Sequence, residues 1–105
     1  MTYGTLNASV PVLQKLVRQN LKLRQAYRLT KIVSKVNEEM AFFEEKYKEI
    51  GASDASDEEK IKMINNLLNF EVDWTLEPVV LTLDDDISLS AADIDVTKGI
   101  IEISE

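Results

Sequence analysis

The hydrophobic pattern changes period once along the chain, and that change divides it into two parts. From about Arg24 to Ile50, the apolar residues Ala26, Leu29, Val33, Val36, Met40, Phe43, Tyr47 and Ile50 recur at alternating steps of three and four. That is a heptad seam, and it predicts one long helix with Gly51 as its C-cap. Upstream, Val12, Leu13, Leu16 and Val17 predict a shorter first helix, capped by Asn7 or Ser9 after an extended lead-in over residues 1–8. Pro11 then falls in the first turn, where its missing N–H would be unsatisfied in any case. The two stripes lose phase across residues 19–23, where a continuous helix would place Gln19 and Lys22 in the core. We read Asn20–Leu23 as a turn, with a single kinked helix as the alternative. Ser56 with Glu59 is a capping-box pattern that opens a third helix to about Asn69, with Ile61, Ile64, Leu67 and Leu68 on its apolar face.

From Phe70 the period is two. Phe70, Val72, Trp74 and Leu76 alternate with Glu71, Asp73, Thr75 and Glu77, which predicts a half-buried strand. Pro78 interrupts it, and Val79–Leu83 reads as a second strand or an edge continuation. Asp84–Asp86 reads as a turn and Ile87 to Leu89 as a short extended segment. Ser90 with Asp93 starts a helical turn or two through Val96, Gly99 breaks it, and Ile100–Ile103 closes as a short strand or docked tail. The expectation is an α+β fold in a single domain, 1–105. Its helical part (8–69) is a short helix, a long helix and a third helix forming a helical hairpin; a small antiparallel β unit (70–105) follows. The predicted core is Tyr27, Val33, Val36, Met40, Phe43, Ile61, Ile64, Leu68, Val72 and Trp74.

Composition narrows the chemistry. At 105 residues, with 45% hydrophobic and 30% charged side chains, the chain suits one globular core. There is no cysteine and no histidine. Disulfides and thiolate sites are excluded, and the usual general base and commonest metal ligand are missing. The expectation is a protein that is not an enzyme and holds no cofactor or metal. Asp84, Asp86, Ser88, Ser90 and Asp95 faintly echo a calcium loop, but Leu89 occupies the position that needs glycine, so a structural turn is the reading. The first residues lack the pattern of a signal peptide, and no apolar run approaches a membrane span; cytoplasm is the expected compartment.

Charge is the most uneven property. The net charge is −7, yet residues 8–37 carry Lys15, Arg18, Lys22, Arg24, Arg28, Lys31 and Lys35 and no acid. Residues 71–105 carry ten Asp or Glu against Lys98 alone. Arg24, Arg28, Lys31 and Lys35 fall at steps of four, three and four and line one helical face. That stripe could be a solvated face, pair with the chain's own acidic half, meet an acidic partner protein, or follow a phosphate backbone. Glu38, Glu39, Glu44, Glu45 and Glu49 read as the outer face of the long helix. A long helix facing a much shorter third helix leaves seam uncovered, which points to a protein partner or self-association. Arg24, Tyr27, Arg28, Lys31, Lys35 and Phe42 form the candidate interaction surface, the aromatics as potential anchors.

The order of several short motifs resembles small phage and prophage proteins of low-GC Gram-positive bacteria. The segments Ala8–Leu16, Leu21–Leu23 and Ala26–Lys31 are similar to an "ALPALQKL"-like helix followed by a "KLPxKxAYKLxK"-like helix start. Glu38–Glu39–Met40 and Phe43–Glu44–Glu45 match an "EEEL…FEEAR" pattern, Leu67–Asp73 a "LLNxEVD" segment, and Leu89–Asp93 an "LS(P/A)AD" segment. The similarity covers most of residues 7–103. The proline usual in the inter-helix turn is replaced around Leu23–Arg24, and the loop at 51–57 is shorter. The resemblance implies a phage context in a bacterial host, and no activity or site residue. The functional expectation is a phage-encoded interaction protein, an assembly or regulatory accessory factor. The alternative is a nucleic-acid-associated accessory protein using the basic stripe.

Overall fold

Thr2 caps the first helix, its hydroxyl accepting the Thr5 N–H at 3.1 Å. The segment expected as an extended lead-in is therefore helical, and neither Asn7 nor Ser9 is the cap. In this computed structural model, which describes residues 1–104, the elements run α1 (Tyr3–Leu16), α2 (Leu23–Ala52), α3 (Asp57–Leu68), β1 (Val79–Thr82), α4 (Ala91–Val96) and β2 (Ile101–Ser104). Tyr3, Leu6, Ser9, Val12, Leu13 and Leu16 form the buried face of α1 at helical spacing. The buried Ser9 hydroxyl donates to the Leu6 carbonyl at 2.7 Å. Pro11 sits deep inside the helix instead of in its first turn. Both Pro11 and Asn7 are exposed, so water can serve the carbonyl that a proline N–H cannot.

Residues 17–22 separate α1 from α2, which decides for a turn over a kinked helix. The turn is tied down by Gln19, whose side chain accepts the Ser88 N–H at 2.8 Å and donates to the Ser88 carbonyl at 3.2 Å. At 1.5 Å rise per residue α2 is about 45 Å long, against a molecule of 53 × 23 × 22 Å. It runs through Gly51 and ends at Ser53, so Gly51 is not the C-cap. Lys60 reaches back from α3 to donate to the Gly51 carbonyl at 3.1 Å, closing the α2–α3 hairpin. Ser56 caps α3 by accepting the Glu59 N–H at 3.2 Å, and Asp57, Glu58 and Glu59 suit the positive end of its dipole.

The core lies almost wholly beside the N-terminal half of α2. Leu29, Ile32 and Val36 pack with the α1 face, Val72, Val79, Leu81, Ile100 and Ile101. Of the predicted core, Val36 and Val72 are buried. Val33, Met40, Phe43, Ile64, Leu68 and Trp74 are half-buried, while Tyr27 and Ile61 stand in solvent. Elements pack on α2 from two sides, which turns Ile32 as well as Val36 inward. Tyr3 and Leu6, in the segment expected as extended, join the core because that segment is helical and sets them on the buried face of α1.

Residues 71–77 alternate between exposed and at least half-buried, as the period-two pattern predicts, although Phe70 stands in solvent, and the segment is not a ladder strand. It pairs only at its start, where the Val72 N–H donates to the Met1 carbonyl at 2.7 Å and the Tyr3 N–H to the Phe70 carbonyl at 3.3 Å. The sheet has two strands, β1 and β2, and they are parallel, with Val79 opposite Ile101 and Thr82 opposite Ser104. The expected antiparallel unit is thus wrong in direction. Residues 83–100 do not fold back as a hairpin. They cross the α1–α2 turn, form α4 and return, and a crossover of that length is what parallel pairing requires. Ser90 caps α4 with Asp93 in a reciprocal capping box. Gly99, at φ 88°, makes the bend into β2.

Asp85 anchors the start of that crossover. Its carboxylate accepts the Thr82 N–H at 2.7 Å and Gln25 Nε2 at 2.9 Å, and pairs with Lys22 Nζ at 2.9 Å. Gln25 is itself buried, accepts the Lys22 N–H at 2.9 Å and donates to the Val80 carbonyl at 3.0 Å. The Thr82 N–H, then Lys22 and Gln25, hold the Asp85 carboxyl far below the ordinary carboxylate range. A depressed folded pKa contributes stability that is present above the unfolded value and lost as pH falls through the folded one. We expect Asp85→Ala to lower the urea midpoint well below that of Asp84→Ala at neutral pH. The gap between wild type and Asp85→Ala should narrow as pH drops below about 4. Equal midpoints for the two variants, or a gap unchanged in acid, would show that the junction does not hold the crossover.

Candidate protein-interaction surface

Half of the basic stripe, Arg28 and Lys35, is paired inside the molecule. Arg28 pairs with Glu77 at 2.9 Å and also donates to the Pro78 carbonyl at 3.5 Å. Lys15 pairs with Asp93 at 2.9 Å, and Lys22 with Asp85. Three cations of the base block thus meet the chain's own acid block, but of the stripe itself only Arg28 does so. The Arg24, Tyr27, Arg28 and Lys31 side chains come together with Thr75, Leu76 and Glu77 around an open groove of about 410 Å³. Lys31 Nζ sits 4.6 Å from the centre of the Tyr27 ring, a cation–π contact on a residue 61% exposed.

Lys35 and Phe42, expected on the same surface, lie apart from that groove. Lys35 pairs with Glu39 at 2.9 Å, and Glu39 also accepts the Tyr3 hydroxyl at 2.9 Å. Glu39 is thus turned toward α1 instead of lying on the outer face with Glu38, Glu44, Glu45 and Glu49. Lys35 holds the Glu39 carboxyl below its usual range. Burial first, then the bond to Glu39, pushes the Tyr3 phenol from 10.0 to about 12. Phe42 joins an aromatic cluster around Tyr3, with ring centroids 6.3 Å from Tyr3 to Phe42, 5.6 Å to Phe43 and 6.0 Å to Phe70. Tyr3 is buried, while Phe42 and Phe70 remain 47% and 59% exposed.

The cluster continues along the α2–α3 arm. No residue of α3 is buried. Ile64, Leu67 and Leu68 are half-buried, Leu68 beside Gly4 of α1, but Ile61 and Met63 flank them in solvent, and Tyr47 on α2 is exposed as well. The apolar arc of α3 runs from Met63 through Leu67, Ile64 and Leu68 to Ile61, wider than one neighbouring helix can cover. Ile61 belonged to the expected core and Tyr47 to the seam, and both stand in solvent with Met63 and Phe70. The width of that arc was the available signal, since a strictly two-helix contact needs only a narrow seam.

Asp85, the most strongly held carboxylate of the acidic run, has both oxygens occupied by protein donors. Among the described residues there is no group of three or more metal-ligating side chains. No helix of the described residues is long and apolar enough to cross a membrane. No protein-family model, no curated protein and no solved structure matches the chain.

The raised Tyr3 pKa has a sign. Below pH 10 the phenol is neutral in both states, and its contribution is complete; between 10 and about 12 only the unfolded chain ionises, and the contribution is lost. Tyr3→Phe should cost about 1.5–3 kcal/mol at neutral pH, for one hydrogen bond to a carboxylate. It should also flatten the decline of the urea midpoint between those two pH values. A variant whose alkaline decline matches wild type would sink the assignment.

Proposed function

We propose that the chain is a non-enzymatic protein-interaction protein of phage or prophage origin, an assembly or regulatory accessory factor working in the cytoplasm of its bacterial host. The observation that carries this reading is the α2–α3 arm. Phe42, Tyr47, Ile61, Met63 and Phe70 are all exposed, on or beside a hairpin in which no residue of α3 is buried. Aromatic and methionine side chains in solvent beside a thin core are the composition of a binding surface. The ordered motifs from Ala8–Leu16 to Leu89–Asp93 support the phage context. The missing histidine and cysteine support the absence of catalysis.

The test is affinity capture from prophage-carrying host cells with wild type and with Ile61→Ser/Met63→Ser. Both substituted residues are exposed, so the thermal melt should stay close to wild type. Capture of a specific protein should weaken by at least roughly tenfold, as for interface anchors. Capture of the same proteins by the variant, or of none by wild type, would count against the reading.

The groove favours a second reading, a nucleic-acid-associated accessory protein, because Arg24, Arg28 and Lys31 line it with Tyr27. Glu77 lies in the same groove and neutralises Arg28, and the net charge is −7. If this reading holds, RNA or DNA binding falls steeply with salt, and Arg24→Ala/Lys31→Ala flattens the slope. Absence of binding at low salt removes it.

A further inference from the structure

One exposed stripe of α2, running beside residues 70–77, carries a charge pattern that the core does not use, and of its residues only Phe42 also belongs to the aromatic cluster around Tyr3. Arg24, Tyr27, Lys31, Ser34, Glu38, Phe42 and Glu45 follow one another at steps of three and four, and all are exposed. Such spacing keeps them on one side of the helix. The N-terminal half of this stripe is cationic and the C-terminal half anionic. Lys15, Lys22, Arg28 and Lys35 all have ion-pair partners within the chain. Among the described residues, Arg24, Lys31, Glu38 and Glu45 have none.

The stripe is also self-complementary. About the point midway between Ser34 and Lys35, Lys31 is placed symmetrically to Glu38, Arg24 to Glu45, and Tyr27 to Phe42. A second α2 laid antiparallel about a twofold axis at that point sets each cation against an anion and each aromatic against an aromatic. Every such contact occurs twice, as an isologous interface requires. Ser34 at the axis is small enough for close approach. A parallel pairing instead sets cation on cation and anion on anion, which disfavours it.

We propose that the chain forms an antiparallel twofold dimer through this face of α2, with Lys31 and Arg24 of each copy against the second copy's Glu38 and Glu45, and Tyr27 packed on the second copy's Phe42. This rests on the interaction reading above and names one partner for it, a second copy of the chain. The charges set orientation and register, since exposed ion pairs are individually weak. The Tyr27 and Phe42 rings supply apolar contact.

Sedimentation and light scattering test it over a range of concentration and salt. Wild type should reach twice the chain mass at high concentration and low salt, and fall back toward one chain as salt rises. Lys31→Glu and Glu38→Lys each place like charges opposite one another twice, and each should weaken the dimer by at least about tenfold. Mixing the two variants restores both pairs, so a one-to-one heterodimer should form, detected with a mass tag on one of them. Circular dichroism checks that the exposed substitutions leave the fold intact. A wild type monomeric throughout, a dimer indifferent to both single swaps, or a mixture that fails to associate would each overturn the proposal. Capture through Ile61 and Met63 by a monomeric chain would overturn the dimer and leave the interaction reading standing. A dimer that behaves as described while capture fails would do the reverse.

Discussion

A helix of about 45 Å runs through a chain with too few other residues to cover it from end to end, and the distribution of that shortage shapes the molecule. Most of the covering goes to the N-terminal half of α2, where α1, the two strands and the extended segment after α3 bury Leu29, Ile32 and Val36. The C-terminal half receives Tyr3 at its start, against Glu39, Phe42 and Phe43, and beyond that α3, none of whose residues is buried. Stability is therefore concentrated at one end of the helix and apolar surface at the other. The α2–α3 hairpin adds local devices to its half-buried contacts, the Ser56 cap and the Lys60 bond to the Gly51 carbonyl. Regions with few buried contacts are the ones that open first.

The same economy explains the charge asymmetry. A small parallel sheet with a single crossover has few hydrogen bonds to fix its path, and the acid half supplies anchors where the path changes direction. Asp85 holds the end of β1 to the first turn of α2, and Asp93 both caps α4 and receives Lys15 from α1. Cations at those positions are matched internally. Those on the outward face of α2 are not, and there the charge pattern changes sign along the helix instead of being neutralised.

Much of this was legible in the sequence, and the failures have physical causes. The long helix, its successor and the capped turn at Ser90 were readable because their periodicity and caps are local. The start of α1 was not. Pro11 argued for a first-turn position, and that argument outweighed Thr2, Tyr3 and Leu6, which carry the cap and the buried face. Period-two alternation correctly reported that Val72, Trp74 and Leu76 face inward while Glu71, Asp73 and Thr75 face out. It reports a face, not a ladder, so it could not distinguish a strand from an extended segment lying on a helix. Strand direction depends on the path of residues 83–100, and an aspartate-rich turn serves a hairpin and a crossover equally well. Among the candidate surface residues, the steps of three and four correctly placed Arg24, Tyr27, Arg28 and Lys31 together. They could not show that Glu39, the partner of Lys35 four residues on, is turned inward by Tyr3, because that contact joins residues 36 apart in sequence.

The apolar arm and the charged outward stripe touch only at Phe42, and their placement makes them compatible. An antiparallel pairing centred between Ser34 and Lys35 is displaced toward the N-terminal end of α2, which spans Leu23–Ala52. Residue 46 of one copy would then lie opposite residue 23 of the other, and the last turns of each α2 would extend beyond the second copy's helix start by about 9 Å. Each extension carries α3 with Ile61 and Met63 exposed. Such a rod would present two equivalent apolar ends pointing in opposite directions. Two weak sites on one rigid body bind a repeating or symmetric target far more tightly than either site alone, through effective concentration and without any new contact. A thinly covered arm then becomes useful, because each end can bind weakly and reversibly while the pair holds.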